Sequence, residues 1–167
     1  MKGRCVAVPS VLFVCLGNIC RSPLAEGALR DAAARAGIDV EVDSAGTGGW
    51  HAGEAPDPRA QAAARRHGSD ISDLRARQVR AEDFRRFDHV FALDRQNLRD
   101  LERIAPADAT AQLGLLMDVV PGAEGQSVAD PYYGEDGDFD TTWREVSAAA
   151  EALVARWIEA QSRFQLR

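Results

Sequence analysis

The sequence predicts an α/β fold, a parallel sheet covered by helices on both faces. Three observations carry this expectation. Short apolar runs alternate with Ala-rich or amphipathic stretches, the order that builds parallel strands joined by crossover helices. The runs Val11–Cys15 (VLFVC) and His89–Leu93 (HVFAL) are continuous rather than alternating, as in strands buried on both faces. Gly37 and Gly68 fall just past two helical stretches, where helices commonly stop. At 167 residues the chain reads as one domain, residues 1–167, with a core over about 10–160.

The elements follow in order. Val11–Cys15 is the first strand. Ser22–Ala36 is the first helix, opened by Ser22-Pro23 as an N-cap and N1 pair, with Leu24, Ala28 and Ala32 on one stripe. Val40–Asp43 is the second strand, ended by the loop Ser44–Gly49 (SAGTGG). Pro58–His67 is the second helix and Glu82–Arg86 a helical turn. His89–Leu93 is the third strand. Asp94 opens a helix through Arg103, with Leu98, Leu101 and Ile104 on its inner face. Gln112–Leu116 is the fourth strand. Met117–Asp138, rich in Gly, Pro, Asp and Glu, reads as a long loop, and loops of that length in compact domains are functional or disordered. Trp143, Val146, Ala150, Leu153, Val154, Trp157 and Ile158 then recur at helical spacing, with the tryptophans as core anchors. Ligands of such sheets bind beyond the carboxyl ends of the strands. The loop after Cys15, the loop Ser44–Gly49 and the turn at Asp94 therefore converge on one site.

Composition narrows the function classes. The net charge of −6 argues against a nucleic-acid surface and against attachment to anionic lipid. No segment approaches the ~20 apolar residues of a membrane span. Three cysteines (Cys5, Cys15, Cys20) are an odd number without a disulfide framework, so reduced thiols and a cytoplasmic location are expected. His51, His67 and His89 are scattered, and neither a metal nor a cofactor is expected. Met1-Lys-Gly-Arg followed by Cys5–Gly17 imitates a signal peptide, but Pro9 interrupts it and cleavage would remove the Cys15 loop. A non-classical export route remains compatible with the sequence.

Residues 15–23 read Cys-Leu-Gly-Asn-Ile-Cys-Arg-Ser-Pro. A strand, a tight loop and a helix start place a thiol at the head of a cradle for a tetrahedral oxyanion. The N–H groups of such a loop point inward, and the helix dipole adds partial positive charge. That field favours a thiolate at Cys15, because helix N-termini and nearby cations lower a cysteine pKa from ~8.5 to ~3.5–7.5. Arg21 adds a planar fork that grips two phosphate oxygens. Gly17 and Asn18 are the residue types that best tolerate unusual backbone angles. A thiolate that takes a phosphoryl group from a phenol also needs a proton donor for the leaving oxygen. Residues 130–134, Asp-Pro-Tyr-Tyr-Gly, supply a carboxylic acid on a stiffened loop beside two tyrosines.

The chain resembles the low-molecular-weight protein tyrosine phosphatases. The matching segments are CLGNICRSP (15–23), DSAGT (43–47), PDPR (56–59), ARQV (76–79), DFRRFD (83–88), NLRDL (97–101) and DPYYG (130–134), in family order. The resemblance implies a three-layer, flavodoxin-like fold with four parallel strands in the order 2-1-3-4. It implies Cys15 as the nucleophile that becomes a phosphocysteine, and Arg21 with the N–H groups of Leu16, Gly17, Asn18, Ile19, Cys20 and Arg21 as the phosphate cradle. Asp130 would protonate the phenolate and then activate water, with no metal. Ser22 would donate a hydrogen bond to the Cys15 sulfur, and Ser44 would partner Asn18 in holding the loop. Leu16, Ile19, Trp50, Tyr132 and Tyr133 would line the cleft. Cys20 would form a reversible disulfide with Cys15. The implied partners are a phosphotyrosine protein as substrate and inorganic phosphate as product. The chain departs from the family pattern in His51, on the loop that shapes substrate preference, and in an N-terminal extension that includes Cys5.

Three other readings compete. A thiol-linked arsenate reductase on the same fold needs further cysteines after the third strand, and this chain has none after Cys20. A phosphoarginine phosphatase is the second; that branch carries Thr where this chain has Ile19. A non-catalytic phosphate-binding module is the third, and it gives no reason for Asp130.

Overall fold

β1 (Ser10–Cys15) is buried along its whole length and lies inside the sheet. In the computed structural model, which describes residues 7–166, it pairs in parallel with β2 (Glu41–Gly46) on one side and β3 (His89–Ala92) on the other. β4 (Gln112–Leu115) adds to β3 as an edge, again in parallel, giving the order β2-β1-β3-β4. The chain leaves β1 toward one edge and returns to β3 on the opposite side. The loop after β1 thus sits where the strand order reverses, the place at which α/β sheets bind ligands.

The alternation of side chains along β1 builds two cores. Val11, Phe13 and Cys15 face α1 (Arg21–Ala36), α2 (Pro58–Arg66) and α5 (Asp136–Gln165). Leu12 and Val14 face the other way, toward Phe84 on α3 (Asp83–Arg86), Phe87 and Leu101 on α4 (Arg95–Ile104). α1 ends at Gly37, whose φ of 68° is the left-handed cap that its position suggests.

Several expectations change. β2 runs on through Ser44, Ala45 and Gly46, because Gly46 pairs with Cys15 on one side and with Gln78 on the other. Ser44 is therefore a buried strand residue, not the first residue of a loop. α1 begins at Arg21 with Cys20 as its N-cap. Ser22 does not cap; it lies in the first turn with its hydroxyl turned toward Cys15. The long loop is shorter than the sequence suggests: Leu116–Val119 forms a 3-10 turn and α5 already starts at Asp136, where Glu135 and Asp138 close a reciprocal capping box. Trp143 is a core residue, but Trp157 is only partly buried and Ile158 is exposed. On α4, Leu101 is fully buried while Leu98 and Ile104 are half-buried. Cys5 and the basic N-terminal segment lie outside the described residues. Among the described residues no helix is long and apolar enough to cross a membrane.

Candidate active site

The loop Leu16–Cys20 curls between the end of β1 and the start of α1. Among the described residues, the N–H groups of Leu16, Gly17, Ile19 and Cys20 find no intramolecular acceptor, and that of Asn18 donates to Cys15 Sγ at 3.3 Å. A set of unpaired donors at a helix N-terminus is an anion cradle, with Cys15 at its floor. Asn18 holds its shape. It is the one non-glycine residue with positive φ among the described residues, at 57°. Gly17 is not in the left-handed region; its value is space, since a Cβ there would stand 3.1 Å from the His51 ring.

A chain of buried hydrogen bonds runs beneath the cradle. Asn18 Nδ2 donates to Ser22 Oγ at 2.8 Å and to Ser44 Oγ at 3.0 Å. Ser22 Oγ lies 3.0 Å from Cys15 Sγ, and Ser44 Oγ donates to Glu26 Oε1 at 2.8 Å. The Arg77 N–H donates to Asn18 Oδ1 at 3.0 Å, and the Arg77 side chain is clamped by Asp43 and the buried Asp83. Ser22 and Ser44 thus lie behind the loop and do not line the cleft. Burial pushes the Glu26 carboxyl above its ordinary value, and its bonds from Ser44 and Arg30 only partly offset this.

Arg21 is buried, with NH1 bonded to Asp94 Oδ2 at 2.6 Å and to the Val128 carbonyl at 3.0 Å. Asp94 also caps α4, accepting from the Asn97 N–H at 2.6 Å. The turn after β3 therefore aims the guanidinium at the cradle. Burial works against the charge of Arg21, but Cys15, Asp94 and Asp130 outweigh it and raise its pKa. Asp130 reaches to 3.6 Å from Arg21 NH2 across the cleft and accepts from the Tyr132 N–H at 3.1 Å, a local turn that fixes the carboxylate.

The cleft holds about 230 Å³ above Cys15. Leu16, Ile19, Trp50, Tyr132 and Tyr133 line it. Tyr132 and Tyr133 meet edge to face at 4.9 Å. The Arg59 guanidinium lies over both the Tyr132 and the Phe139 rings and is forked onto Asp57, propping this wall. Cys20 also borders the cleft. Burial, with Asp57, Cys15 and Asp130 nearby, pushes its thiol far above the ordinary value, so it stays neutral. Both cysteines are free thiols.

Sequence reasoning missed Glu26, Arg77, Asp94 as the Arg21 partner, Arg59 and the place of His51 in the wall. Glu26 had a signal, since it stands four residues after Ser22 on one helix face. His51 lines the cleft and its Nδ1 lies 2.8 Å from Glu54 Oε2. Among the described residues no group of three or more His, Cys, Asp or Glu side chains is arranged to hold a metal ion.

An α/β sheet with a thiol-floored anion cradle at its switch point defines a phosphate-loop protein built around a cysteine. The model of the low molecular weight phosphotyrosine protein phosphatases matches residues 10–163, and the chain belongs to that family. It is 41% identical over 150 residues to low molecular weight phosphotyrosine protein phosphatase 1 of Drosophila melanogaster, covering 88% of this chain and 96% of that one. Its fold superimposes on the crystal structure of YfkJ from Bacillus subtilis with a TM-score of 0.84 at 39% identity, over 92% of this chain and 97% of the other. A Drosophila arginine phosphatase structure is also similar, with a TM-score of 0.83 at 33% identity over 88% and 96% of the two chains.

Proposed function

We propose that the protein hydrolyses phosphotyrosine in proteins through a phosphocysteine on Cys15. One observation carries this reading: unpaired N–H donors, a buried arginine and a carboxyl group converge above the Cys15 thiol. In the first step the Cys15 thiolate attacks phosphorus, the phosphorus–oxygen bond to the phenol breaks, and Asp130 gives its proton to the departing oxygen. In the second, Asp130 as carboxylate takes a proton from water, which attacks the phosphocysteine. The sulfur leaves as thiolate and inorganic phosphate is released. Arg21 and the loop N–H groups hold the three equatorial oxygens in both steps, where charge spreads over them. Ser22 donates to the departing sulfur. Cys20 is the resolving thiol that traps oxidised Cys15. The thiolate chemistry suits a reducing compartment such as the cytoplasm.

Family membership and the aromatic walls support a phenyl phosphate as substrate. Likeness to the Drosophila arginine phosphatase motivates phosphoarginine as the second reading. Ile19 opposes it, because a branched apolar side chain at the wall suits a flat ring better than a guanidinium. Purified enzyme assayed on peptides carrying phosphotyrosine, phosphoarginine, phosphoserine and phosphothreonine separates the two. Phosphotyrosine should be favoured by at least about tenfold in kcat/KM. Cys15→Ser should abolish turnover on every peptide while still binding vanadate. Residual turnover above a few per cent, or preference for phosphoarginine, overturns the assignment.

A further inference from the structure

Behind Trp50 a second groove of about 520 Å³ opens on the outer side of the cleft. It shares two walls with the cleft, Leu16 and Trp50, and ends at Ile104 on α4. Trp50 is 71% exposed and Leu16 is also exposed, so the ridge between the two depressions is apolar surface facing water. The ridge is nonetheless fixed. A Cβ on Gly48 would fall 1.8 Å from a carbon of the Trp50 ring, so the indole lies flat on the backbone of that residue. The Thr47 and Gly48 N–H groups are tied to the carbonyls of Cys15 and Leu16, which anchors the ridge to the cradle itself.

We infer that this groove is a substrate subsite that takes an aliphatic side chain flanking the phosphotyrosine. The inference rests on the phosphotyrosine reading above. A polypeptide whose phosphorylated ring enters the cleft must leave over its rim, and an extended chain advances about 3.3–3.6 Å per residue. A chain that leaves on the Leu16–Trp50 side carries a neighbour within two positions across this ridge to the groove. The groove offers little to a peptide backbone, because the Thr47 carbonyl already accepts from Gln78 and the Gly49 carbonyl from Ala52. Strand addition is thereby disfavoured and side-chain burial remains. At the rim Asp100 and Arg103 pair with each other, so neither sign of charge is selected. Leu16, Trp50 and Ile104 are left as the recognition surface, and burying one aliphatic side chain desolvates all three.

The test uses phosphotyrosine peptides with Leu or Asp at each of the positions −2, −1, +1 and +2, and p-nitrophenyl phosphate, which has no flanking residue. Wild type should favour Leu over Asp at one of these positions by about tenfold in kcat/KM, the scale of partly burying one aliphatic side chain. Ile104→Ala should lose most of that preference and leave p-nitrophenyl phosphate hydrolysis unchanged. Ile104→Glu should abolish or invert the preference, and Ile104→Ala keeps the test decisive if the glutamate variant does not fold. Equal rates on all peptides overturn the subsite. So does a preference that both Ile104 variants retain, since the recognition then lies elsewhere. Failure to hydrolyse any phosphotyrosine peptide or p-nitrophenyl phosphate is a different result: it removes the phosphatase reading and the subsite with it.

Discussion

Replacing Asn18 tests whether the cradle is held open by one strained residue. Its side chain makes three hydrogen bonds, to Ser22 Oγ, to Ser44 Oγ and from the Arg77 N–H. Each is worth about 1 kcal/mol net, and a buried donor left without a partner costs about 1–3 kcal/mol. Asn18→Ala keeps a Cβ at φ 57° and loses all three bonds, so a destabilisation of about 3–5 kcal/mol is expected. Asn18→Gly loses the same bonds but relieves the left-handed strain, which is about 1–2 kcal/mol for a residue with a Cβ. The glycine variant should therefore be the more stable of the two. Denaturant unfolding of the three proteins measures this order, and vanadate titration measures the cradle. Vanadate affinity should fall by at least about tenfold in both variants, because the N–H groups no longer converge. The reasoning is refuted if Asn18→Ala unfolds within about 0.5 kcal/mol of wild type, the range of an ordinary surface change. It is refuted as well if alanine and glycine are equally stable, since the strain would then be absent.

Asp130→Ala should lower kcat on phenyl phosphate by ~10²–10⁴, the usual worth of a general acid, and much less on esters whose leaving group needs no proton. An equal loss on both would make Asp130 a structural residue. Glu26 gives a pH signature: its native carboxyl is raised above 4.5, so the native state holds the proton more tightly than the unfolded chain. Wild-type stability should therefore fall as pH rises from 4.5 to that higher native value, and Glu26→Gln should flatten this slope. Arg30 loses its partner in the variant, so the slope measured by unfolding across pH is diagnostic and the offset is not. For Cys20, peroxide followed by dithiothreitol should restore wild type but leave Cys20→Ala largely inactive. Because burial keeps the Cys20 thiol neutral, its trapping of oxidised Cys15 should speed up as pH rises. Full recovery of Cys20→Ala, with no Cys15–Cys20 bridge by mass spectrometry, would remove its protective role.

Cys15, Arg21 and the intervening loop were legible because strand, turn and helix start are written in nine consecutive residues, and local chemistry constrains each one. Asp130 was legible only once a leaving group had to be protonated, for an Asp-Pro turn by itself is ordinary. The supporting residues were hidden by distance. Arg21 finds Asp94 73 positions away, and Asn18 finds the Arg77 N–H 59 positions away. No periodicity encodes such pairs; they follow from the sheet order that sets β1 between β2 and β3. Ser22 was misplaced because Ser-Pro satisfies a helix cap and a buried hydroxyl equally well on paper. The structure decides by starting α1 one residue earlier and leaving the Ser22 hydroxyl to Cys15, Asn18 and the Ala45 carbonyl. Ile158 failed for the opposite reason: the helical repeat is kept through a 30-residue helix, but this side chain is left exposed on it. The same logic explains the division of labour around the thiol. Residues that form the cradle are contiguous, so that one loop can present them in register. Residues that hold the loop come from α1, β2 and the segment 76–79, so that three elements must pack before Asn18 is trapped at its strained angle. The cradle is therefore a product of the finished fold.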